Sequence, residues 1–274
     1  MSATIQAPRP RTRWQKARDM FAAYLRIDII EERMFPLSSV MRYTSVVIPV
    51  VTYFFMAEYQ GTEKQYPTIL IGIAVAFGLQ DALIGFTSRL TFAQERGILE
   101  TYLVEPVSWW LIPVAMNLWR TAMGITVTLV MLLVGWGLGA DLDMANFAIF
   151  MVILLLGVLA CNAVGVFAAS FLVVFKRGEP VISVYGMLAA FLGGSFFAIS
   201  VLPGWIRWAS YLIPNTYAIS AARSTLIPGH AHGDANVVVA CLVLAGFSLF
   251  AFTVGLRVFH RSLQYARRTG ILST

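Results

Sequence analysis

FAIFMVILLLGVLACNAVGVFAASFLVVF, Phe147–Phe175, runs for 29 residues without a charged side chain. As an α-helix it would be ~43 Å long, against the ~30 Å hydrocarbon core of a bilayer. Such a helix crosses the membrane with tilt or projects beyond it. The rest of the chain has the same character. Hydrophobic residues make up 58% of the 274 residues, charged residues only 12%, and the mean hydropathy is +0.74. A soluble domain carries ~45–50% apolar and ~25% charged residues. The fold class is therefore an all-α membrane protein, with too little chain left for a separate soluble domain.

Working outward from Phe147–Phe175, five further stretches approach the ~20 apolar residues a span requires. They are Leu37–Ala57, Pro67–Ser88, Leu111–Gly139, Val181–Leu202 and Val237–Phe259. Six spans put both termini on one side. With the termini inside, the inner segments 1–42, 89–120, 176–180 and 257–274 hold 17 of the 20 Lys and Arg residues, against 3 outside; counting Arg120 as buried leaves 16 to 3. The positive-inside rule then places both termini in the cytoplasm of a multi-pass protein, expected in a bacterial inner membrane. The net charge of +6 reflects this topology and the attraction of anionic lipid headgroups. No basic groove with stacking aromatics points to nucleic acid. The basic, polar first twenty residues lack the apolar core of a cleavable signal.

The expected organisation is a tail and amphipathic interfacial helix over 1–36, a six-span domain over 37–259, and a basic cytoplasmic tail over 260–274. In Trp14–Phe35, the residues Trp14, Ala17, Phe21, Tyr24, Leu25 and Ile29 recur at helical spacing, with Arg18, Arg26, Glu32 and Arg33 on other faces. That pattern fits a helix lying at the membrane surface and ended by Pro36. On the outer side, 203–232 is too polar for a span and too apolar for a free loop. Trp205, Trp208 and Tyr211 suit an interface, and Pro214 with Asn215 interrupts any helix. A short re-entrant helical hairpin is expected there.

Gly186, Ala190 and Gly194 on the fifth span, and Gly165 and Ala169 on the fourth, repeat at a spacing that lets helices approach closely. Ordinary packing within the chain explains them better than a dimer seam. Asp81 and Arg120 are costly in hydrocarbon. They lie ~12 and ~15 Å above the inner ends of spans two and three, at matching depth. An Asp81–Arg120 ion pair is expected, assisted by Gln80 and Asn117; a register-fixing role and a substrate contact both remain open.

Reactive chemistry is sparse. Cys161 and Cys241 lie within apolar runs and read as buried hydrophobes. His230, His232 and His260 form no metal motif. There is no phosphate-binding G-x-x-x-x-G-K-[ST] loop, no H-E-x-x-H and no G-x-S-x-G. Ser195, in Gly193-Gly194-Ser195, lies at the opposite membrane face from His260, which rules out a nucleophile–base pair between them. The chain is not expected to be an enzyme or to bind a cofactor.

One polar island stands apart: FAQERGILETYLVEPVSWW, Phe92–Trp110, between spans two and three and on the inner side. Ile98, Leu99, Tyr102, Leu103 and Val107 form one face of a short helix. Glu95, Arg96, Gly97, Ile98, Leu99 and Glu100, followed by Leu103, Val104, Glu105, Pro106, Val107 and Ser108, resemble the coupling segment of type-2 ABC transporter permeases. The amphipathic N-terminal helix is similar to that family's elbow helix, and 203–232 to its outer hairpin. Leu212 to Tyr217, followed by Arg223, resembles its late N-P-containing stretch, with Pro214-Asn215 in reversed order.

The resemblance implies a half-transporter. Two permease copies, identical or related, would pair with separate ATP-binding cassette ATPase subunits that carry ATP and Mg. The island, about 92–108, would be the coupling helix. Ile98, Leu99, Tyr102 and Leu103 would anchor it, Glu95, Glu100 and Glu105 would orient it by charge, Gly97 would allow close approach, and Pro106 would stop it. The expected function is export of an amphipathic, lipidic or drug-like substrate by alternating access. Polysaccharide export, an intramembrane enzyme acting on lipid-linked substrates, and a non-transporting scaffold are the alternatives.

Overall fold

The computed structural model describes residues 13–95, 111–175, 179–197, 199–228 and 236–269. These residues form α-helices and short 3-10 turns, with no strand among them. The helices are α1 (Arg13–Met34), α2 (Pro36–Tyr59), α3 (Tyr66–Glu95), α4 (Leu111–Gly137), α5 (Phe147–Phe175), α6 (Glu179–Leu192), α7 (Gly204–Ser210), α8 (Pro214–Leu226) and α9 (Val237–Thr269). Five, namely α2, α3, α4, α5 and α9, are long and apolar enough to cross a membrane.

The fifth expected span, Val181–Leu202, is not one helix. Helix α6 has 14 residues, ~21 Å of rise, short of a bilayer core. It stops at Gly193-Gly194. Gly194 takes φ +74°, the left-handed conformation open to glycine. Ser195 N–H donates back to Ala190 O, and Gly194 N–H to Phe191 O. This Schellman closure uses the carbonyls freed by the helix end. Gly194 therefore ends the helix and does not extend a packing stripe. Helix α4 ends at Gly137, short of the expected Gly139, while α3 includes Phe92–Glu95 and α9 continues beyond Phe259 to Thr269.

Helix α3 is the hub, packed against α4, α5, α8, α6 and α2. Small residues make this possible. A Cβ on Gly124 of α4 would lie 2.6 Å from the carbonyl oxygen of Gly78 on α3, so these backbones touch. Thr128 Oγ1 locks the crossing by donating to Ala74 O at 3.1 Å. On the α5 side, a Cβ at Gly165 would meet Leu83 O at 2.6 Å, and Thr87 Oγ1 reaches Gly165 O at 3.3 Å.

The hairpin after α6 divides into an outer and an inner helix. Helix α7 exposes Trp205 and Trp208, whereas α8 buries Pro214, Asn215, Ala218, Ile219 and Ala222 against α5 and α3. Pro214 occupies the first turn of α8, where its missing N–H costs nothing. Thr216 Oγ1 donates to Ser210 O at 2.6 Å and Tyr217 Oη to Tyr211 O at 3.0 Å, tying the turn between the two helices.

Helix α1 buries Met20, Tyr24 and Asp28, one residue per turn, against the Leu111 end of α4 and the last turns of α3. Trp14 is 87% exposed and Ile29 is also exposed, so the inward face is rotated from the aromatic stripe expected from spacing.

Candidate functional site

Charged side chains gather at the α1 end of the bundle and run up into it. Asp28 of α1, with 2% of its side chain accessible, forms an ion pair with Arg89 of α3. Glu32 lies 3.7 Å from Arg42 of α2 and accepts from Ser39 Oγ. Deeper, Arg120 Nη1 of α4 lies 3.7 Å from Asp81 Oδ1 of α3. Arg42 and Glu32 are near enough for their charges to act on Asp81. Four elements thus contribute two carboxylates and two guanidiniums to one cluster, with no net charge.

Neither expected helper joins the Asp81–Arg120 pair. Asn117 Nδ2 donates to Asn162 Oδ1 at 2.7 Å, and Asn162 Nδ2 donates to Thr121 Oγ1 at 2.7 Å, a separate α4–α5 clasp. Gln80 lies over Gly186 of α6, where a Cβ would fall 2.3 Å from its amide nitrogen. Asp28 and Arg89 were the residues sequence reading passed over. The available signal was Asp28 falling one and two turns after Tyr24 and Met20, on what proved to be the buried face.

The exposure of α3 picks out one face. Most of this helix is buried. One stripe is not: Phe77, Gln80, Asp81, Ile84 and Ser88 fall on one face and are exposed or partly so. On the same face toward the other end, Tyr66, Leu70 and Ile73 are buried. Tyr66 is covered by Phe54 of α2, with ring centroids 5.4 Å apart. Tyr53 of α2 and Phe196, in the turn after α6, approach to 6.0 Å. Helices α2 and α6 both pack on α3, and they meet at the hairpin end through these rings. The open stripe therefore starts at Phe77, is closed toward the hairpin, and extends toward the α1 end.

Arg223 of α8 ties the hairpin end together. Its Nε donates to Thr68 O at 2.9 Å, Nη2 to Ser195 O at 3.0 Å and Nη1 to Phe197 O at 3.4 Å. The guanidinium thus collects carbonyls from the start of α3 and from the broken segment after α6. Burial pushes its pKa down to about 10, which leaves it a cation at neutral pH. Asn215 is buried, and its Oδ1 lies 3.2 Å from Cys161 Sγ of α5.

Glu95 is the last residue of α3. Arg96, Gly97, Ile98, Leu99, Glu100, Tyr102, Leu103, Glu105 and Pro106 lie outside the described residues. Among the described residues no three His, Cys, Asp or Glu side chains are grouped to hold a metal. Ser195 is buried beside Arg223, while His260 of α9 pairs with Gln264 at 2.9 Å.

A multi-pass helical membrane protein with an exposed, partly polar stripe along its central helix is the class these features define. The sequence matches the ABC-2 type transporter family over residues 29–227. The chain belongs to that family and is the membrane component of an ABC transporter system. A comparison with curated proteins finds no match.

Proposed function

We propose that this chain is the permease subunit of an ATP-driven exporter, moving an amphipathic, lipidic or drug-like substrate out of the cytoplasm by alternating access. The observation that carries this reading is the exposed stripe on α3, covered at one end only. It is covered at the hairpin end, where Phe54 packs on Tyr66 and Tyr53 meets Phe196, and open toward the α1 end. The Lys and Arg distribution supports a cytoplasmic position for the open end. A stripe open inward and covered outward would collect cargo from inside, which is the direction of export.

Movement needs work from a partner, because the chain carries no phosphate-binding loop. Segment 92–108 is the docking site for a separate ATP-binding cassette subunit, where ATP and Mg would be held. A second permease copy completes the path, with membrane lipids around it. Closure of the ATPase pair displaces the docking segment, and α3 carries that displacement to the stripe.

Co-purification and reconstitution test the proposal. A stoichiometric ATPase and ATP-dependent movement of an amphiphile across vesicles are expected. Chemical conversion of a lipid-linked substrate by the purified chain without ATP would replace this reading with the enzymatic one.

A further inference from the structure

The open stripe of α3 has a chemistry that points to one kind of cargo. Phe77 and Ile84 are exposed apolar side chains at 40% and 38%. Between them, Gln80 and Asp81 project on the same face, and Arg120 borders Asp81 from α4. Lipid tails are a poor occupant, since a carboxylate and a guanidinium at this depth are expensive against hydrocarbon. Both side chains keep part of their surface open, 25% for Asp81 and 31% for Arg120.

The pair is also incompletely satisfied. At 3.7 Å, Arg120 Nη1 and Asp81 Oδ1 are beyond normal hydrogen-bond length. Asp81 Oδ2 is buried and has no hydrogen-bond partner among the described residues. An acceptor and a cationic donor group therefore stand side by side, each with bonding capacity left. With Glu32 and Arg42 included, the cluster favours neither a lone cation nor a lone anion.

We infer that this stripe is a recognition site for an amphiphile with a zwitterionic headgroup. An ammonium N–H of the cargo donates to the accessible edge of the Asp81 carboxylate, whose side chain is 25% open. Its phosphate or carboxylate accepts from Arg120, whose planar fork suits such an anion. The alkyl chain lies along Phe77 and Ile84. The inference rests on the export reading above and names the substrate class for it.

Binding of three fluorescent single-chain amphiphiles with matched acyl chains tests it on the full chain in a nonionic detergent. The probes are lysophosphatidylethanolamine (zwitterionic), lysophosphatidylglycerol (anionic) and an alkylamine (cationic). The zwitterion should bind about tenfold or more tighter than either singly charged probe, the scale of one charge-assisted hydrogen bond. Asp81→Asn and Arg120→Gln should each remove about tenfold of that preference. The exchange D81R/R120D keeps one group of each sign and should retain preference for the zwitterion. Equal binding of the three probes by the unaltered chain, which no folding defect can explain, overturns the inference. So does an unchanged preference in folded Asp81→Asn. Failure of the export reading shows separately, as absence of an ATPase partner with probe selectivity intact.

Discussion

Arg223 Nη2 donates to the carbonyl oxygen of Ser195 at 3.0 Å, joining α8 to the segment released by the break in α6. The same guanidinium holds Thr68 O at 2.9 Å, so one side chain pins three parts of the chain. Unsatisfied buried carbonyls cost ~1–3 kcal/mol each. Arg223→Ala should lower stability by about 3 kcal/mol, read as a drop in thermal unfolding temperature in detergent. Arg223→Lys should recover only part of this, because an ammonium on a flexible stem cannot match the planar fork. A full recovery by lysine would mean that charge alone matters at this position.

Asp28 and Arg89 make a second long-range tie, between α1 and the last turns of α3. Breaking a buried ion pair by removing one member costs ~3–5 kcal/mol. Asp28→Ala and Arg89→Met should each destabilise on that scale. The double variant should lose much less than the sum of the two, as a double-mutant cycle on unfolding will show. Additive losses would mean the two side chains do not interact energetically.

Most of the fold was legible because spans obey length and charge. Phe147–Phe175, uncharged throughout, has the same bounds as α5. What could not be read depends on carbonyls. Nothing local in Arg223 reveals that its partners are Thr68 and Ser195, one of them 155 residues away. Spacing groups Gly194 with Gly186 and Ala190 as a packing stripe, whereas its left-handed φ of +74° makes it the helix stop. Likewise, apolar periodicity finds a face of α1 without saying whether lipid or protein covers it. Asp28 is buried because Arg89 answers its charge, a relation that spacing within α1 does not encode.

The α3–α4 crossing makes a steric prediction. A Cβ at Gly124 would sit 2.6 Å from Gly78 O, which is backbone and has little room to yield. Gly124→Val should force the helices apart and break the Thr128 Oγ1–Ala74 O bond. Overpacking of this kind costs ~1–3 kcal/mol or more. The yield of monodisperse protein on size exclusion should fall sharply. Gly246→Ala on α9, with nothing within 4 Å of the added Cβ, should behave as the unaltered protein. Tolerance of Gly124→Val would argue that the two helices are not held in contact.

The proposed transmission route joins the stripe to the ATPase through one continuous helix. The stripe containing Asp81 and the final residue Glu95 both belong to α3, so a displacement at Glu95 reaches Asp81 without crossing a loop. The tie of Arg89 to Asp28 makes α1 move with it. A bulky cation at the docking segment should break the link at its first step while leaving the membrane helices folded. Gly97→Arg and Glu95→Lys should therefore preserve ATP hydrolysis by the partner but lower transport about tenfold or more, the scale of a ~1–3 kcal/mol coupling free energy. Transport per ATP hydrolysed, measured in reconstituted vesicles, is the deciding quantity. An unchanged ratio in both variants would remove segment 92–108 from the coupling path.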